Sequence, residues 1–183
     1  MTEISERYRK VAGQFTRRVR AVPDGAWDNP APCEGWRARD VVGHLVEWLP
    51  AYFFGTWNIA GDPIPSVDDD PVGAWAALDN TIQSGLDDPE IAERRRDTRM
   101  GPSTFAHAVD QICTNDILVH TWDLARATGL DTTLDPDEVH TLLQGMEPYE
   151  DAIRASGHYG PRVEVPADAD EQTRLIAFTG RQP

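Results

Sequence analysis

An acid and an imidazole stand one helical turn apart in this chain, on a face that should be buried. Val109, Cys113, Asp116, His120, Asp123 and Ala127 follow one another at spacings of 4, 3, 4, 3 and 4, the pattern of a helical stripe turned toward a core. Ile112, Ile117, Val119 and Leu124 make the same helix largely apolar, so Asp116 and His120 are expected to face inward. A second stripe, Val41, His44, Trp48 and Ala51, spaced 3, 4 and 3, turns His44 inward as well. A carboxylate inside a bundle costs several kcal/mol unless it has a partner or a cation.

Two arrangements meet that need, and spacing alone leaves both open. In the first, Asp116 accepts a hydrogen bond from His120 or His44 and the group is a structural pair. In the second, His44, Asp116 and His120 bind a divalent metal. Ligands at i and i+4 lie about 5–6 Å apart on one helix face. A third ligand from a facing helix completes a two-histidine, one-carboxylate set with open positions.

The other chemically able residues read as follows. Cys113, one turn before Asp116, is a candidate fourth ligand, although a buried cysteine as a small hydrophobe is the preferred reading. Asp123 and Arg126 read as helix-surface or cap residues, with Asp123 alternatively orienting a ligand histidine from behind. His107, His140 and His158 share no ligand spacing and read as surface or loop residues. Trp36, Trp48, Trp57, Trp75 and Trp122 read as core, with the lining of a ligand pocket as the alternative. Arg94, Arg95 and Arg96 read as a solvated face rather than an anion site.

The elements that must position these residues are nearly all helical. The first spans about 3–20, ahead of Pro23-Asp24-Gly25. After a loop rich in proline and tryptophan, a second runs from about Arg37 to the late fifties, bent at Pro50, whose ring cannot join the hydrogen-bond ladder. Asp70-Pro71 opens a third to about Leu86. The polar stretch 87–102 holds a short strand or a loop. A long fourth helix covers Ser103 to Thr128 and stops at Gly129; a fifth starts at Asp135-Pro136 and reaches about Ser156. The tail, 158–183, has an extended piece at Val163–Val165 and a small helix to Thr179-Gly180. The expectation is an all-α, up-down four-helix bundle with an additional helix and a short tail, forming one domain over 1–183.

Composition narrows the partners. With 17 basic against 31 acidic residues the net charge is −14, which argues against a phosphate-reading nucleic-acid binder. The longest uncharged apolar run, Trp48 to Gly61, falls short of the roughly 20 residues a spanning helix needs, so no membrane role is expected. Two cysteines build no disulfide framework and the first residues hold no apolar signal core, which points to a reducing cytoplasm.

Two segments carry a resemblance. Pro32-Cys33-Glu34-Gly35-Trp36-Arg37-Ala38-Arg39-Asp40-Val41-Val42-Gly43-His44-Leu45-Val46 and Asp116-Ile117-Leu118-Val119-His120-Thr121-Trp122-Asp123-Leu124-Ala125-Arg126-Ala127-Thr128-Gly129 resemble the metal-binding domain of mycothiol-dependent maleylpyruvate isomerases, in the DinB-like superfamily. The tail, from Tyr159-Gly160 to Thr179-Gly180-Arg181, resembles a short single-domain actinobacterial branch of it. The resemblance implies a four-helix bundle whose metal is held by one histidine of the second helix and an acid-x-x-x-histidine pair of a later one, which are His44, Asp116 and His120 here. Zinc is the leading metal, with nickel or iron as alternatives, and mycothiol is the implied thiol cosubstrate. The chain departs from the pattern in three ways: Asp116 stands where glutamate is usual, Arg37 replaces a capping serine or threonine, and 158–183 is too short for the isomerase's further domain. The functional expectation is therefore a metal-dependent thiol S-transferase or isomerase acting on a small electrophile. The alternative is a metal-binding bundle with a structural or sensing role. A homodimer is the expected assembly.

Overall fold

The computed structural model describes residues 2–98, 101–155, 157 and 159–183. Helix α1, Glu3–Ala21, begins where the Thr2 hydroxyl accepts from the Ser5 amide, and buries Tyr8, Val11, Ala12, Phe15 and Val19 along one face. Glu3 and Glu6 sit in its first turn and Arg18 and Arg20 in its last, each sign favoured by the helix dipole. Helix α2 is Ala38–Leu49. Helix α3, Pro71–Asp87, is capped by Asp70, whose Oδ1 accepts from the Gly73 amide at 2.8 Å, as its sequence signals indicate. Helix α4, Thr114–Thr128, stops at Gly129, whose φ of 72° is the left-handed cap expected there. Each of α1 and α2 packs against both α3 and α4, and the four surround one apolar core. Helix α5, Pro136–Met146, packs against α6, Glu171–Phe178.

The all-α expectation holds, with one antiparallel pair in the polar stretch: β1, Arg95–Thr98, against β2, Gly101–Thr104. Three boundaries differ from expectation for physical reasons. Helix α2 does not merely bend at Pro50; Pro50–Phe54 is a π-helical turn leading into Gly55–Trp57. The helix expected from Ser103 starts at Phe105, after Thr104, whose hydroxyl accepts from the His107 amide. It then passes through a second π-turn, Val109–Cys113, before α4 begins. There the amide and hydroxyl of Thr114 both donate to the Val109 carbonyl, five residues back. The fifth helix is broken by a 3₁₀ turn at Glu147–Tyr149, where Pro148 supplies no amide, and resumes over Glu150–Ala155; Ser156 lies outside the described residues.

The start of α2 also corrects an expectation. Arg37 has no acceptor for a cap, yet half of the capping box is made. Asp40 Oδ2 accepts from the Arg37 amide at 2.8 Å and from its Nε at 3.1 Å. Among the described residues no helix is long and apolar enough to cross a membrane.

The tail folds back by a specific turn. At the end of α6 the Gly180 amide donates to the Ala177 carbonyl at 3.0 Å and the Arg181 amide to the Ile176 carbonyl at 3.2 Å. These two bonds define a Schellman motif, with Gly180 left-handed at φ 85°. A Cβ at Gly180 would also meet backbone atoms of Gly160 and Pro161 at 3.2 Å. Gly180→Ala is therefore expected to destabilise the protein by about 1–2 kcal/mol from backbone conformation alone. Gly145→Ala, at an open position inside α5, is expected to be neutral or stabilising by up to about 1 kcal/mol. Urea midpoints of the two variants check the pair.

Candidate metal centre

The helical period sets two of the three donors. Asp116 and His120 lie one turn apart on α4, a helix buried on nearly every side, and His120 Nε2 stands 3.5 Å from Asp116 Oδ1. The third donor comes from α2, with His44 Nε2 3.5 Å from Asp116 Oδ2. One ligand atom from each of the three lies within 4.8 Å of the others. Exposure grades across the group: the side chains of His120, Asp116 and His44 are 6%, 21% and 31% exposed. His44 is thus on the edge of the buried face of α2 rather than at its centre. The centre line of that face is Ala38, Val42, Leu45 and Leu49. Ala51, expected on the His44 stripe, is exposed, because the π-turn shifts the faces beyond Pro50.

Aromatic side chains wall the group. The turn Cys33–Trp36 closes through the Trp36 amide and Cys33 carbonyl at 3.0 Å, with Gly35 at φ 77° in the position where a type II turn needs it. This turn sets the Trp36 ring 5.9 Å from that of His120, stacked, and 5.1 Å from that of His44. The Trp48 indole N–H donates to Asp116 Oδ2 at 3.1 Å. Burial pushes the Asp116 carboxyl up, but His120, His44 and the Trp48 donor outweigh it and hold it below the ordinary carboxylate range. A groove of about 450 Å³ lined by Trp48, Ala51, Tyr52, Thr56, Asp97 and Thr98 shares Trp48 with the site.

Behind His120 lies an arrangement that only part of the sequence reading anticipates. Asp123 is not a surface residue: its side chain has no exposure, and its Oδ2 meets His120 Nδ1 at 2.8 Å. Arg181 donates to both carboxylate oxygens of Asp123, from Nε and from Nη2, each at 2.7 Å. Burial opposes the ionisation of Asp123, but His120 and Arg181 overcome it and keep its carboxyl below the usual range. The ion-paired Asp123 accepts from His120, so Nδ1 carries a proton and is committed to that bond, and Nε2 is the nitrogen that faces Asp116. Cys33 completes the cluster, its Sγ 3.7 Å from Asp123 Oδ2 and 3.4 Å from Arg181 Nη2. Burial and the Asp123 charge push its thiol up to about 11, against the pull of Arg181.

The remaining candidates separate cleanly. Cys113 is fully buried in the core with its thiol pushed well up by burial, as the hydrophobe reading has it, and Cys33 is the cysteine that approaches the site. Trp57, Trp75 and Trp122 are core, whereas Trp36 and Trp48 line the site. Arg94 satisfies the carbonyls of Trp57 and Asn58 at 2.6 and 3.1 Å, and Arg95 and Arg96 are exposed on β1. His107 is exposed and His140 pairs with Glu171, as expected of surface residues. His158 lies outside the described residues. Arg181 and Cys33 were not singled out by spacing; the Gly180-Arg181 pair after an apolar helix was the one local signal.

Comparison with known proteins bears out the resemblance over part of the chain. Residues 8–52, which include His44, match the family described as the mycothiol maleylpyruvate isomerase N-terminal domain. Two uncharacterized proteins of Mycobacterium tuberculosis, from strains CDC 1551 / Oshkosh and ATCC 25618 / H37Rv, are each 28% identical over 154 residues. The alignment covers 83% of this chain and 83% of theirs. No solved structure matches significantly.

The buried charge gives a testable dependence on pH. A carboxylate whose folded pKa is depressed contributes stability above its unfolded pKa of about 4 and loses that contribution as pH falls toward the folded value. At pH 7 Asp123→Ala, which leaves Arg181 buried and unpaired, is expected to cost about 3–5 kcal/mol. The gap between variant and wild type should narrow below about pH 4, where the wild type begins to lose the term. Urea titrations of metal-free protein at both pH values check this, and an unchanged gap would contradict it.

Proposed function

We propose that the protein binds one divalent metal through His44, Asp116 and His120 and uses it to act on a small thiol and an electrophilic partner. The observation that carries the reading is a contrast of distances. His120 Nδ1 and the Asp123 carboxylate sit at 2.8 Å, a hydrogen bond, while both imidazole Nε2 atoms stand 3.5 Å from Asp116. A charge-assisted N–H···O⁻ contact would close to about 2.7–2.9 Å. Donors about 2.1 Å from a tetrahedral centre stand roughly 3.4 Å apart; each imidazole lies near that distance from one Asp116 oxygen, and one ligand atom from each of the three residues lies within 4.8 Å of the others.

The donor chemistry agrees with the distances. Two imidazoles and a carboxylate suit zinc, with nickel or ferrous iron as alternatives. A cation held there would supply Lewis acidity able to keep a bound thiol as thiolate at neutral pH. The protein's own contribution is orientation and exclusion. Asp123 fixes the His120 ring, the Trp48 N–H fixes the Asp116 carboxylate, and Trp36 covers the two imidazoles from the side of the Cys33–Trp36 turn. The graded exposure leaves the His44 side as the way in, beside the groove at Trp48 and Tyr52. The match over residues 8–52 supports mycothiol as the thiol, and S-transfer or cis–trans isomerisation as the reaction class.

The alternative, a closed structural site with four protein ligands, has less support. Among the described residues Cys113 joins neither group of potential ligands, and Cys33 groups with His120 and Asp123 instead of with His44 and Asp116.

The test is metal content and spectroscopy of protein prepared without a histidine tag. One zinc per chain is expected, with stoichiometric binding lost in His44→Ala and in the Asp116→Ala/His120→Ala double variant. In the cobalt form, mycothiol or a simpler thiol should produce a sulfur-to-metal charge-transfer band. A cobalt spectrum indifferent to every thiol would overturn the thiol chemistry, and tight metal retained when His44→Ala, Asp116→Ala and His120→Ala are combined would overturn the site.

A further inference from the structure

We propose that Arg181 is a positioning residue of this metal centre, so that docking of the segment 159–181 and metal binding are coupled. The proposal rests on the metal reading above and extends it to a part of the chain outside the proposed ligand set. Arg181 lies 58 residues from Asp123 in sequence, yet its guanidinium is largely buried and grips both oxygens of a carboxylate that has no solvent exposure. The two-pronged geometry fixes the plane of that carboxylate. With the plane fixed, Oδ2 points at His120 Nδ1, and the imidazole can turn its other nitrogen only toward Asp116 and His44. The same guanidinium reaches Cys33 Sγ, and Cys33 begins the turn that carries Trp36 over the two histidines. One side chain therefore ties the tail, the ligand His120 and the aromatic wall together.

The presentation of Arg181 is itself built. The Schellman motif at the end of α6 turns the backbone at Gly180, and Gly180 packs against the backbone of Gly160 and Pro161. Tyr159, next in line, is partly buried, and burial together with the negative charge of Asp116 raises its phenol pKa against the opposing Arg181. Whatever releases this segment frees Asp123 to rotate and removes the restraint on His120. Coupling of this kind is reciprocal: if the docked tail raises metal affinity, bound metal must hold the tail down by the same factor.

The test measures zinc affinity of the full chain by chelator competition. Removing a group that orients a metal ligand from behind weakens binding by about 10–100-fold, and that loss is expected for Arg181→Ala. Arg181→Lys, which keeps the charge but gives up the two-pronged grip, should fall between the variant and wild type. It also carries the test if Arg181→Ala fails to fold. Zinc should slow hydrogen exchange of the amides of residues 171–181 in wild type, and by less in Arg181→Lys. A purely structural Arg181 would lower the melting temperature of the metal-free variants while leaving zinc affinity and zinc-dependent exchange unchanged, which would overturn the coupling alone. Failure of the wild type to bind zinc would overturn the metal reading and the coupling with it.

Discussion

A carboxylate withdrawn entirely from water persists only where cations and strong donors surround it, and the packing around Asp123 is organised by that requirement. Asp123 sits on the most buried helix of the protein, where water is not a partner. Its charge is met from three directions: His120 from its own helix, Arg181 from the tail, and Cys33 from the loop ahead of α2. Each of those groups is held elsewhere in turn. Arg181 depends on a left-handed glycine after α6, Cys33 on a turn with a second one at Gly35, and His120 on the helical period. A buried ion pair of this kind is poor evidence for net stability, because burying the charges offsets much of their attraction. What it contributes is a unique arrangement, since any packing that separates the members leaves a charge in the core.

The cluster in front of His120 follows a different rule. Asp116 stays partly open to solvent, and neither imidazole closes on it to hydrogen-bond distance. Trp36 and Trp48 shield it without sealing it, and Trp48 gives it one neutral donor. The same histidine, itself buried, thus has a tight contact on Nδ1 at 2.8 Å and a looser one on Nε2 at 3.5 Å. That asymmetry is what a metal ligand requires: one nitrogen committed to orientation and the other left free to bind.

How much of this was legible in the sequence depended on how local the cause was. The grouping of His44, Asp116 and His120 was legible because a 3.6-residue period acts within a single helix and needs no knowledge of what faces it. The caps at Asp70 and Gly129 were legible for the same reason. Asp123 was on the predicted stripe and read first as a helix-surface or cap residue beside Arg126, with contact to His120 from behind as the alternative; the cation that holds it, Arg181, is 58 residues away. Cys33 was hidden likewise, in a loop whose path is set by Gly35 and by the Pro30–Arg37 bridge. Arg37 was judged by side-chain type, as a residue unable to accept, while the reciprocal bond from its own backbone amide to Asp40 was still available. Ala51 was misplaced because periodicity assumes a regular helix.

That last error points to how the two site-bearing helices serve both a core and a polar group. Each carries a π-turn next to its site residues: Pro50–Phe54 just after Trp48, and Val109–Cys113 just before Asp116. A π-turn adds a residue to one turn of helix, so the faces before and after it are out of register, and such turns recur at functional sites. In the first helix the face bearing His44 and Trp48 gives way beyond Pro50 to one that sends Phe53 and Trp57 into an aromatic cluster with Phe105. In the second, Val109 and Cys113 pack in the core while Thr114 takes up the Val109 carbonyl that the wider turn leaves available. A regular helix of the same sequence would keep its stripe straight, and either the apolar anchors or the polar donors would then be misdirected. The irregular turns let the apolar packing at one end be satisfied without rotating the donors at the other.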